Sequence, residues 1–129
     1  PVLQSLADEG LIDYRRIVGL PSAQVMSIIK EADVVIDSAG LGYYATTTVQ
    51  AMAAGRLTIV HLDERVKGRL PGVFPGIALD DPTSVETRLR EVLANRDVYR
   101  AVAAKAPAFA VETHDGRVSS AALSTLWNA

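Results

Sequence analysis

Two short unbroken apolar runs organise the chain: Val34-Val35-Ile36 and Leu57-Thr58-Ile59-Val60. Runs this short and this rich in β-branched residues predict parallel strands buried on both faces. Between them, Gly40-Leu41-Gly42 reads as a turn and 43–54 as a small-residue helix stopped by Gly55. The triplet Thr46-Thr47-Thr48 lowers the intrinsic propensity of that helix. Upstream, 2–10 resembles the last turns of a helix ended by Gly10, and 14–18 a short strand ending at Gly19. Ser22 is placed as the N-cap of a helix over 22–32, with Val25, Ile28 and Ile29 on one face. Downstream, 62–76 is a loop rich in charge, glycine and proline, and 77–79 a third short strand.

Three helices are predicted after it. Thr83 and Glu86 have capping-box spacing for a helix over 83–95, with Val85, Leu89, Val92 and Leu93 on its apolar face. A second spans 97–105, stopped by Pro107, and a third spans 115–127 with Leu123, Leu126 and Trp127 on one side. The apolar faces of all three are expected to be core. Strand–helix alternation followed by a helical tail gives an α/β fold class: a Rossmann-like parallel sheet with flanking helices.

Composition narrows the range of functions. The 129 residues, 49% of them hydrophobic, amount to one domain, 1–129. Net charge is -2, with no basic stripe, so nucleic acid is not expected as a partner. The absence of cysteine removes disulfides, thiolate zinc sites and a cysteine nucleophile together. His61 and His114 are too few and too far apart to suggest a metal site. Neither a signal peptide nor a run of the ~18 apolar residues a membrane span needs is evident, which leads us to expect a cytoplasmic protein. Because natural α/β domains usually open on a strand, the helical start at Pro1 leads us to expect a partial domain, incomplete at its amino end.

Candidate chemistry concentrates where the first buried strand ends. Ligands of open α/β sheets bind at the carboxyl ends of strands, and a helix starting there offers free N–H groups and a positive dipole end. Gly40 and Gly42, followed by Tyr43, Tyr44, Thr46 and Thr47, would form a diphosphate cradle; the same glycines equally suit an ordinary strand-to-helix turn. The threonine hydroxyls would reach a phosphate or bond back to their own helix. Gln50 is either a ribose ligand or a polar residue at a helix–sheet seam. Ser38 suits a substrate hydroxyl or a loop cap. His61 follows the second strand, where a histidine is more often structural than catalytic. Lys67 and Arg69 would cover a phosphate from a mobile loop, or simply stay solvated.

From Gln50-Ala51-Met52-Ala53-Ala54-Gly55 through Leu57-Thr58-Ile59-Val60, the chain resembles the carboxy-terminal, donor-binding half of GT-B glycosyltransferases, in particular the large retaining group 1 class. That family's pattern is an acidic residue, Gly-Phe-Gly, a few apolar residues, then Glu-Ala-Met-Ala-x-Gly and a strand. Ala32-Asp33 before the strand, Asp80-Asp81-Pro82 after the donor region, and the later helices extend the resemblance over nearly the whole chain. It implies sugar transfer from a nucleotide-sugar donor to an acceptor held by a missing amino-terminal portion of the protein. No cofactor or metal is implied, the catalytic residues stay unassigned, and the chain alone is expected to be inactive.

The departures fall on the chemistry. Two family glutamates eight positions apart contact the donor, and the matching positions are Gly42 and Gln50. Glutamine accepts a hydrogen bond without bringing charge. Tyr44 stands where the family has phenylalanine, and Ala45 where it has glycine. A degenerate, non-catalytic binding or scaffolding module is therefore the alternative, while an epimerase of the same fold would need a carboxylate pair that is not evident. In a doubly wound order 3-2-1-4-5-6, 15–18 would be strand 3 and 34–36 strand 4. Two strands would lie between them, and residues absent from this chain are expected to supply those strands.

Overall fold

A computed structural model of the chain describes every residue except Ser38, Ala39 and Ala129, so the expectation for Ser38 lies outside the described residues. In chain order the elements are α1 (Val2–Asp8), α2 (Ser22–Glu31), β1 (Val34–Asp37), α3 (Thr46–Ala53), β2 (Leu57–His61), α4 (Glu64–Lys67) and β3 (Ile77–Leu79). A 3-10 turn (Pro82–Ser84) then leads into α5 (Val85–Ala94), α6 (Arg96–Ala104), α7 (Ala106–His114) and α8 (Arg117–Trp127).

The three strands form one parallel sheet in the order β1-β2-β3. Val34 pairs with Leu57 and Asp37 with Val60; Ile59 pairs with Ile77 and His61 with Leu79. Alternation along each strand sends side chains to both faces, and helices cover both. On one face Leu57, Ile59, Ile77 and Leu79 pack with Leu6 of α1, Leu89 and Val92 of α5 and Ala103 of α6. On the other, Val35 packs with Ile29 of α2 and Ala51 of α3, while Met52 of α3 meets Ala106 and Ala110 of α7. This is the expected α/β class: a small parallel sheet between helices.

Several expectations are corrected. Segment 14–18 is not a strand: 12–18 carries no ladder, because no strand lies beside it to exchange N–H and C=O bonds. Ser22 is the first residue of α2 and Pro21 its N-cap, without a side-chain cap. α3 begins at Thr46 and not at 43, since Gly40 and Gly42 take positive φ (111° and 78°) and Ala45 is extended. Asp63 caps the short α4 inside what the sequence suggested was plain loop. Asp81, whose carboxylate accepts the Thr83 N–H at 2.8 Å, replaces the expected Thr83–Glu86 capping box. Pro107 does not end a helix but sits in the first turn of α7, where a missing N–H costs no bond. The apolar side of α8 is not core: Leu123, Leu126 and Trp127 are 66%, 76% and 91% exposed.

Candidate functional site

The carboxyl edge of the sheet gathers the end of β1, the Gly40–Gly42 turn, the start of α3, and the segments leaving β2 and β3. Asp37 ends β1 and is held from below by α3: the buried Thr48 hydroxyl donates to its Oδ2 at 2.8 Å. Thr48 therefore serves the scaffold, facing the sheet from the first turn of α3. Thr46 is exposed and Thr47 half-buried on the same turn. Removing the Thr48 hydroxyl leaves Asp37 short of a partner at partial burial. Thr48→Val is expected to cost about 1–2 kcal/mol of stability, read as a lower urea midpoint at unchanged slope.

Ala45 precedes α3 as its N-cap and has no side-chain acceptor to offer, and no described side chain caps this helix. Its first N–H groups thus face the edge without the usual Ser, Thr, Asp or Asn partner. Gly40 and Gly42 lie shortly before the helix, with the side chains of Leu41 and Tyr43 exposed on the same turn. Gly42 is itself fixed from the next strand: its carbonyl accepts the Asp63 N–H at 2.7 Å. A Cβ placed on Gly42 would lie 3.3 Å from the Asp63 Cβ. The Asp63 carboxylate accepts the Arg65 N–H at 2.8 Å, which with the Arg65 side chain holds its pKa below the ordinary range.

The two tyrosines separate. Tyr43 is 53% exposed at the edge. Tyr44 turns inward, its ring 5.6 Å from that of Phe74 and its hydroxyl 2.7 Å from Nε2 of His114 at the end of α7. The phenol donates to the imidazole when the latter is neutral with its proton on Nδ1. Burial raises the Tyr44 pKa and lowers that of His114. An unfolded histidine titrates near ~6.5, so at lower pH the unfolded chain binds the extra proton. The stability from a neutral His114 is present above that pH and lost as pH falls through the lowered folded value. The lowered carboxylates titrate below their ordinary 3.8, outside this window. Urea midpoints of the His114→Gln variant are expected to fall less than wild type between about pH 7 and about pH 5.

Gln50 is half-buried one turn further along α3. His61 is half-buried at the end of β2, its Nδ1 buried without a hydrogen-bond partner among the described residues. Lys67 does not reach over the turn: it bonds Glu64 at 2.8 Å and also Asp80 at the end of β3. Asp80 first and then Glu64 raise its pKa, and Lys67 in turn lowers that of Asp80. Arg69 is exposed on the loop. Gly40, Gly42 and Tyr43 thus precede α3, Thr46 and Thr47 sit in its first turn with Gln50 one turn further, and the Tyr44 ring is committed to packing. The roles of Asp37, Asp63 and His114 were not anticipated, since each depends on a contact between separate elements. Among the described residues no group of three or more histidine and carboxylate side chains is placed to hold a metal ion. No described helix is long and apolar enough to cross a membrane.

Compared with protein-family models, curated proteins and solved structures, the chain has no match.

Proposed function

We propose that the chain is the donor-binding half of a GT-B glycosyltransferase. In this reading it holds a nucleotide-sugar for transfer to an acceptor carried by a missing amino-terminal portion of the protein. One observation carries the reading: α3 starts without a side-chain cap at the carboxyl edge of a parallel sheet, three residues beyond a turn with two glycines of positive φ. Such a helix start stabilises an anion through its N–H groups and dipole. The diphosphate would lie along Gly40, Gly42, Thr46 and Thr47, with Tyr43 at the rim and Gln50 toward the ribose. The domain's chemical contribution would be electrostatic, easing charge onto the leaving diphosphate. No side chain is assigned a catalytic role.

The alternative of a non-catalytic binding module draws on a separate observation. The space beside Gly42, where the resemblance would place a glutamate, is bounded by Asp63. Calorimetric titration of the full chain with UDP-, GDP- and ADP-sugars tests both readings. Selective binding is expected, weakened about fivefold or more in Gln50→Ala. Binding of none of the three would overturn the donor reading in favour of the module, and sugar transfer by the chain alone would overturn its expected inactivity.

A further inference from the structure

Asp37 stands apart from the other aspartates of the carboxyl edge. It ends β1, half-buried, and among the described residues it forms no ion pair. Asp63 by contrast pairs with Arg65, Asp80 pairs with Lys67, and Asp81 accepts the Thr83 N–H. Those pairs also engage Arg65 and Lys67, and Arg69 stands exposed on the loop. What holds Asp37 is the Thr48 hydroxyl, donating to Oδ2 at 2.8 Å. Thr48 is fully buried and third in α3, so the bond seats the carboxylate against the first turn of that helix. Among the described residues Oδ1 accepts no hydrogen bond.

The consequence concerns the diphosphate of the proposed function, and the inference rests on that reading. The reading places the diphosphate at the start of α3, on its N–H groups and dipole. Carboxylate and diphosphate would then share one helical turn, whose ~5.4 Å pitch is shorter than the ~8 Å screening length at physiological salt. Like charges at that separation repel. A positive charge entering with the ligand removes the conflict, and a hard divalent cation suits the groups present. Mg²⁺ takes oxygen ligands, keeps several waters, and is usually held by one or two carboxylates together with substrate phosphates. A single carboxylate does not make a cage by itself. That agrees with the absence, among the described residues, of any group of three histidine or carboxylate side chains placed to hold a metal ion.

We propose that Asp37 is the protein ligand of a divalent cation of the Mg²⁺ type, which enters this site with the diphosphate and bridges the two anions. Oδ1 supplies one coordination position, and diphosphate oxygens and water supply the others. Thr48 acts through Asp37, by fixing which oxygen faces outward.

The test is calorimetric titration of the full chain with UDP, GDP and ADP, in excess MgCl₂ or in EDTA, for wild type and Asp37→Asn. Asparagine keeps an oxygen for the Thr48 hydroxyl and removes the charge, so the urea midpoint is expected to stay in place. Wild type is expected to bind its preferred nucleotide about tenfold more tightly in Mg²⁺ than in EDTA. In Asp37→Asn that gain is expected to vanish, with binding in EDTA tighter than wild type's because the repulsion is gone. MgCl₂ alone is expected to give no saturable binding. A second measurement needs no variant: Mn²⁺, which takes similar oxygen ligands, is expected to broaden the wild-type amide signals of Asp37 and Thr48 only when nucleotide is present. Equal wild-type affinity in Mg²⁺ and EDTA would overturn the proposal and leave the nucleotide reading standing. So would a Mg²⁺ gain that survives Asp37→Asn, saturable binding of MgCl₂ alone, or Mn²⁺ broadening confined to other residues. Binding of no nucleotide under either condition would overturn both.

Discussion

Ile59→Ala is expected to lower stability by about 3–4 kcal/mol, measured as the urea unfolding free energy at neutral pH. Ile59 is fully buried on β2, the only described strand with a neighbour on each side. It pairs with Ile36 on one side and Ile77 on the other, and its side chain belongs to the cluster with Leu6, Leu89 and Ala103. Truncation removes apolar burial and leaves a cavity bounded by the sheet and by helices α1, α5 and α6, which cannot all collapse inward. For a chain of this length total stability is on the order of 6–19 kcal/mol, so the loss is a large share of the whole. Leu126→Ala is the control, because Leu126 is 76% exposed and its truncation is expected to change stability by less than about 0.5 kcal/mol. A loss at Ile59 no larger than that at Leu126 would mean that the sheet is not the centre of the core.

The contrast between those two positions marks what could be read from the sequence. β2 was legible because a run of β-branched residues bounded by Gly55 and a polar loop leaves little alternative, and β1 and β3 follow the same logic. The amphipathic spacing of Val85, Leu89 and Val92 likewise placed α5. In α8 the same kind of stripe misled: periodicity reports that a helix has an apolar side, not that anything covers it. The expected strand at 14–18 failed for a related reason. Strand composition is local, but a strand exists only through a partner's hydrogen bonds, and β1 pairs with β2 alone among the described strands. Pro107 was read as a stop because proline breaks helix interiors, whereas in the first turn it is well tolerated.

At the candidate site the glycine turn and the existence of a following helix were legible, while the start of that helix and the side-chain partnerships were not. The Tyr44–His114 bond joins residues 70 positions apart, and the Gly42–Asp63 contact joins a turn to the exit of the neighbouring strand. Neither leaves a trace in local spacing. Thr48 was grouped with Thr46 and Thr47 by sequence, yet the rotation of about 100° per helical residue points it at Asp37 while Thr46 is exposed and Thr47 half-buried.

Gly42→Glu would restore the residue type that the glycosyltransferase resemblance expects at this position, and it is expected to destabilise the chain by about 2–4 kcal/mol. Two costs combine. The backbone at Gly42 has φ of 78°, a left-handed conformation that costs an L-residue about 1–2 kcal/mol. The new Cβ would also meet the Asp63 Cβ at 3.3 Å, and Asp63 cannot retreat freely. Its N–H is bonded to the Gly42 carbonyl at 2.7 Å and its carboxylate caps α4. The added carboxylate would further stand beside that of Asp63, and like charges repel. Gly42→Ala separates the contributions, since it carries the backbone and Cβ costs without the charge, and it is expected to lose less. Urea unfolding of both variants reads the stability, and nucleotide-sugar titration of the folded fraction reads the site. If Gly42→Glu matched wild type in stability, the turn would not be held as Gly42 and Asp63 hold it here. Weakened donor binding in Gly42→Ala at preserved fold would tie the shape of this turn, rather than a side chain at position 42, to the ligand.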